Sequence, residues 1–151
     1  MDLILWRHAE ADDSTPDMAR QLTPKGHKQA RRMGDWLASQ LPEGCKVLVS
    51  PATRTLQTVE PLGRKFKVVS ALAPGAAPED ILRAANWPNS KEAVLVVGHQ
   101  PTLGQVAALL LSGQPQMWDM KKASAWWFVQ REPKDAESVY LKAVTTADLV
   151  K

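Results

Sequence analysis

The sequence predicts one α/β domain, residues 1–151, built on a mainly parallel sheet with helices on both faces. Three observations predict it. Apolar runs alternate with helix-period segments from residue 3 to residue 111. Those runs are nearly continuous rather than alternating, as in strands covered on both sides. Two later apolar runs follow each other across a short polar link, which predicts antiparallel edge strands.

The elements follow in chain order. "LILW", residues 3–6, is the first strand, and residues 12–20 form a polar loop. Residues 24–41 form a helix, with Pro24 suited to its first turn. Ala30, Met33, Leu37 and Leu41 recur three or four apart and line one face of it. "KVLVS", ending at Ser50, is the second strand. Residues 52–65 form the next helix, striped by Leu56, Val59, Leu62 and Phe66, and Pro61 should kink or fray it. "KVVSAL", residues 67–72, is a short third strand, and residues 78–86 a short helix. "AVLVVGH" is the fourth strand, and residues 101–111 a long helix. "SAWWFVQRE" and "SVYLKAV" are the two late strands, turning at residues 133–136. "TTADLVK" is a tail or a short docking helix.

At 151 residues the chain can bury an adequate core without disulfides or a metal. Cys45 is its only cysteine, so no internal disulfide forms, which fits a reducing compartment. The start Met1-Asp2-Leu3 has no positive n-region, and its apolar run is too short for a signal peptide or a membrane span. The expected location is cytoplasmic. Nineteen basic and sixteen acidic residues give a net charge of +3, which suits anionic small ligands or acidic partners but not nucleic acid.

The informative residues stand at strand ends. The first strand runs into Arg7-His8. The second runs into "SPATR", with Arg54 at the start of a helix. The fourth runs into Gly98-His99. Ligand sites of open α/β sheets lie outside the carboxyl ends of the strands. Two arginines and two histidines therefore share one rim, joined by helix N-termini with free N–H groups. Guanidinium forks match phosphate oxygens, so the rim suits a phosphoryl group. Any one of these residues alone is an ordinary edge, surface or core group; their agreement is what carries weight. His27 sits in a helix among basic residues and takes no role. Arg31-Arg32 and Lys121-Lys122 are solvated faces, and the second pair could attract an acidic partner. No phosphate loop, dinucleotide fingerprint, CxxC pair, zinc spacing or GxSxG elbow is present, so no metal or cofactor is expected.

"LWRHAEA", "LVSPATRTLQT" and "VLVVGHQP" resemble the three signature segments of the histidine phosphatase superfamily, the phosphoglycerate-mutase-like fold. Ser50, Pro51, Arg54, Gln57 and Thr58 match the second segment, and Gly98-His99 the third. The first differs in placing Ala9, still a small residue, where glycine is usual. The short chain and "RQLTPKGHKQA" are similar to SixA-type phosphohistidine phosphatases. The resemblance implies that His8 is the nucleophile, forming a phosphohistidine intermediate. It implies that Arg7, Arg54 and His99 bind the phosphoryl oxygens. Larger relatives bring a general acid on an inserted loop. The candidates here are Glu79 and Asp80 by position and Glu10 by closeness to His8, while Glu79 and Asp80 fit equally well as first-turn helix charges.

The reading is a metal-independent phosphatase acting on phosphohistidine in a protein, whose partner could be a histidine-phosphotransfer domain. A small-molecule phosphomonoesterase and a non-catalytic phosphate- or phosphoprotein-binding module are the alternatives. The chain looks too short for the cap of a mutase. A monomer is expected, with no nucleic-acid or membrane partner.

Overall fold

The computed structural model describes residues 1–150. Six strands form one sheet in the order β3-β2-β4-β1-β5-β6. They are β1 (Asp2–Arg7), β2 (Lys46–Val49), β3 (Lys67–Val68), β4 (Val94–Gly98), β5 (Ala125–Gln130) and β6 (Val139–Thr145). The four left-hand strands pair in parallel, while β5 runs antiparallel to both β1 and β6. The α-helices are α1 (Pro24–Gln40), α2 (Thr53–Val59), α3 (Pro78–Ala84) and α4 (Thr102–Ser112).

Strand alternation divides the core into two layers. Ile4 and Trp6 of β1 and Leu95 and Val97 of β4 pack with Ala30, Met33 and Leu37 of α1. Leu3, Leu5, Val94 and Val96 point the other way, against Ile81 of α3 and Leu103, Val106 and Ala107 of α4. All four β1 side chains from Leu3 to Trp6 are fully buried, as a strand with helices on both faces requires. The apolar run that looked continuous in sequence thus serves two cores.

This arrangement creates a crevice. The chain leaves β1 towards α1 on one face and leaves β4 towards α4 on the other. Since β1 and β4 are neighbours, their exits diverge, and the strand order reverses there.

Several elements differ from the sequence reading. The second helix is shorter: α2 ends at Val59, a 3-10 turn follows over Glu60–Leu62, and left-handed Gly63 stops the chain at φ 70°. Pro61 lies within that turn rather than kinking a long helix, and Phe66, beyond the stop, is exposed instead of completing the stripe. The third strand keeps only Lys67–Val68, both exposed, because Ser70–Leu72 coils into a 3-10 turn that buries Leu72. Pro101 is the cap of α4, not its first residue. His27 is half-buried rather than solvated. Ala147–Leu149 forms a 3-10 turn, with Ala147 buried in the α1 layer; Lys151 lies outside the described residues.

Two glycines permit close approaches. A Cβ on Gly26 in α1 would fall on the carbonyl oxygen of Glu10, and one on Gly104 in α4 on that of Trp118. These contacts press the helices against the segments that follow His8 and precede β5. Gly26→Ala should destabilise the fold by about 1–3 kcal/mol, the usual cost of overpacking, read as a lower midpoint in urea unfolding. An unchanged midpoint would mean that α1 moves away freely.

Candidate active site

Parallel pairing sets Arg7 opposite Gly98, so the residues that follow, His8 and His99, emerge side by side. Their ring centroids lie 5.3 Å apart and both residues are buried. The His8 backbone N–H donates to the carbonyl of Gly98 at 3.1 Å, extending the ladder one step past the strand.

The His8 ring has a defined tautomer. Its Nδ1 lies 2.8 Å from the carbonyl oxygen of Ala9. A carbonyl only accepts, so Nδ1 carries the hydrogen and Nε2 keeps the lone pair. Burial pushes the His8 pKa down to about 4, aided by Arg54, Arg7 and Arg20 and opposed by the Ala9 bond. The ring is neutral at pH 7. Burial, with His8 and Arg54, likewise holds His99 down to about 3. His99 Nε2 meets Ser50 Oγ at 2.7 Å. Ser50 Oγ also accepts from the Ala52 N–H at 3.3 Å. When the Ser50 hydroxyl donates to Nε2, the imidazole hydrogen of His99 sits on Nδ1.

Both arginines reach the same strand ends. Arg7 donates from Nη1 to the Met120 carbonyl at 2.7 Å. Arg54, in the first turn of α2, is buried. It donates from Nη1 to the Asp17 carbonyl at 2.9 Å and from Nη2 to Asp17 Oδ2 at 3.3 Å. Among the described residues three buried nitrogens have no partner: Arg7 Nε, Arg54 Nε and His99 Nδ1. An unsatisfied buried donor costs about 1–3 kcal/mol, so the two guanidinium N–H groups, with His99 Nδ1 beside them, call for an acceptor-rich ligand.

The second signature segment has a structural function as well. Thr58 Oγ1 accepts from the Ala9 N–H at 3.0 Å and donates to the Arg54 carbonyl at 2.7 Å. Gln57 Oε1 accepts from the Leu22 N–H at 2.8 Å. These bonds tie α2 to both ends of the loop after β1.

The candidate carboxylates divide. Asp80 accepts from the Ala77 N–H at 3.0 Å and from Arg83 Nη1 at 3.2 Å, so it caps α3. Glu79 is exposed on the same first turn. Glu10 Oε2 accepts from Thr23 Oγ1 at 2.7 Å, at the start of α1. Sequence reasoning missed Asp17 and Arg20, which join the site from the loop after β1. Arg20 donates to Asp17 Oδ1 at 3.2 Å and to the Asp12 carbonyl at 2.6 Å. Arg20 first, and then Arg54, hold the Asp17 carboxyl below the usual range. The only sequence signal was an acid and a base three apart in a polar loop, which is too common to single out.

Other chemistry is distant or lacking. Cys45 precedes β2, at the end of the strand opposite the crevice, and burial pushes its thiol up to about 11. Among the described residues no cluster of His, Cys, Asp or Glu could hold a metal, and no helix is long and apolar enough to cross a membrane.

The fold and crevice define a class: an α/β protein with paired neutral imidazoles, a buried Arg54 and a half-buried Arg7 at its switch point. Comparison with known proteins agrees. Residues 3–75 match the model of the histidine phosphatase superfamily, branch 1. The chain is 32% identical over 125 residues to phosphohistidine phosphatase SixA of Escherichia coli, covering 76% of each chain. It is 36% identical over 113 residues to an uncharacterised protein of Mycobacterium tuberculosis, covering 70% of each. A solved structure of the protein histidine phosphatase SixA complexed with tungstate superposes with a TM-score of 0.77 at 26% identity, covering 100% of both chains. The chain belongs to the histidine phosphatase superfamily, and its activity class is that of a phosphatase.

The histidine environments have a consequence for pH. In the unfolded chain both imidazoles titrate near the ordinary value of about 6.5. The folded values are about 4 for His8 and about 3 for His99. As pH falls through about 6.5 the unfolded chain therefore binds protons that the folded chain refuses, and stability falls towards pH 3. Urea midpoints at pH 8, 6.5 and 5 should fall in that order, with the larger step between the last two and a smaller total drop in His99→Gln. Imidazole signals followed by NMR should show His8 neutral at pH 5.

Proposed function

We propose that the protein hydrolyses phosphohistidine in a protein, through a phosphohistidine intermediate on His8 Nε2. The observation that carries this reading is the bond from His8 Nδ1–H to the Ala9 carbonyl, which leaves a neutral Nε2 lone pair in a crevice lined by arginines. The Nε2 lone pair attacks phosphorus, forming a P–N bond as the bond to the leaving nitrogen breaks. Water then attacks the phosphorylated His8, releasing inorganic phosphate and restoring the imidazole. Arg7, Arg54 and His99 bind the phosphoryl oxygens and stabilise the charge on them in both steps. The unpartnered nitrogens of these three residues support that assignment, as does the tungstate, a tetrahedral oxyanion, held by the related SixA structure.

The substrate class follows from the carboxylates. An alkoxide leaving group needs a proton donor, whereas an imidazole is a better leaving group and needs one less. Asp80 is engaged in a cap and Glu10 is bonded to Thr23. Asp17 is held ionised by two arginines. With Glu10, Asp17 and Asp80 so engaged, and Glu79 exposed on the first turn of α3, the site favours a phosphoramidate over an alkyl phosphate. The phosphomonoesterase and binding-module readings have no comparable observation in their favour.

His8→Ala should abolish turnover and remove an acid-labile, base-stable phosphoenzyme, while EDTA should leave wild-type turnover unchanged. Arg54→Lys should lower kcat/KM about ten-fold to a thousand-fold despite its retained charge, because lysine lacks the planar fork. Steady-state turnover of a phosphohistidine peptide, p-nitrophenyl phosphate and an alkyl phosphate tests the substrate. Phosphohistidine should lead; faster turnover of the alkyl phosphate would overturn the substrate assignment.

A further inference from the structure

A basic groove of about 730 Å³ opens beside Arg7. Lys25, Lys28 and Arg32 line it from α1, spaced three and four apart on one helix face. Lys121 and Lys122 line it from the segment before β5. With Arg7 these make six cationic side chains, against two carboxylates among the described residues, Asp119 and Asp148. The five lysines and arginines other than Arg7 are exposed and make no ion pair among the described residues. Like charges crowded around one concavity repel one another, and an anionic occupant relieves that repulsion.

Both walls are anchored to the chain around His8. On one side the His8 carbonyl accepts from the Ala123 N–H at 3.1 Å, and Arg7 N–H donates to Ser124 at 3.1 Å. On the other, Glu10 N–H donates to Gln29 Oε1 at 3.0 Å, and Gly26 packs on the Glu10 carbonyl. An occupant of the groove is therefore held in fixed register with the imidazole.

We infer that this groove docks an acidic segment of the phosphorylated protein, next to its phosphohistidine. The inference rests on the phosphoprotein reading above and adds how the protein substrate is selected. Four of the six cations are lysines, which attract carboxylates as mobile point charges without demanding planar geometry. Among the described residues no aromatic side chain lines the groove to stack a base, so a nucleotide is disfavoured. Its concavity suits a chain segment better than a bilayer surface. Such charge complementarity acts mainly on association, and so on KM.

The test compares two phosphohistidine peptides, one flanked by glutamates and one by glutamines. Wild type should show a KM for the acidic peptide on the order of ten-fold lower, and the advantage should shrink as sodium chloride is raised. The triple variant Lys25→Glu, Lys28→Glu, Lys122→Glu should erase that advantage while p-nitrophenyl phosphate turnover stays near wild type. Equal KM values for the two peptides in wild type, or an advantage that survives charge reversal, would overturn the inference. Fluorescence anisotropy with the unphosphorylated acidic peptide keeps the two proposals separable. Salt-sensitive binding lost in the triple variant would uphold the groove even if phosphohistidine were not a substrate. Tighter binding to phosphatidylserine vesicles than to the peptide would reject it.

Discussion

The parallel pairing of β1 with β4 is the constraint on which the rest depends. It sets Arg7 against Gly98 and so delivers His8 and His99 from separate parts of the chain to a ring separation of 5.3 Å. Divergence of α1 and α4 to opposite faces then opens the crevice in front of them.

Desolvation shapes the chemistry of that crevice. Charged imidazoles would be costly in this buried position beside Arg54 and Arg7, so both histidines stay neutral. Neutrality is what a nitrogen nucleophile needs. Each arginine donates to a backbone carbonyl: Arg7 to Met120 and Arg54 to Asp17. Those carbonyls fix the guanidinium groups in place before any ligand arrives. The same network extends outward through Asp17 to Arg20, so the loop after β1 takes part in holding Arg54.

The groove and the crevice share one piece of backbone, residues 7–10. Thr58, Gln29, Ala123 and Ser124 all bond to it. A ligand pressing on either wall of the groove therefore acts on the segment that carries His8. This sharing gives a physical route by which the proposed docking of a protein substrate would support alignment of its phosphoryl group.

The strands, the helix periods and the strand-end residues Arg7, His8, Arg54 and His99 were legible in the sequence. Buried parallel strands require apolar runs, and polar residues that end them break the pattern visibly. The truncated second helix and third strand were not legible. Their limits are set by Gly63 turning left-handed and by Leu72 finding the core from a 3-10 turn. Only the tertiary structure decided the partners of the carboxylates. Sequence position allowed Glu10, Glu79 and Asp80 as acids, while folding put Glu10 on Thr23 and Asp80 on a cap, and brought Asp17 to Arg54 across 37 residues. Spacing along the chain records which face a residue occupies; the hydrogen-bond partner depends on where the rest of the chain packs.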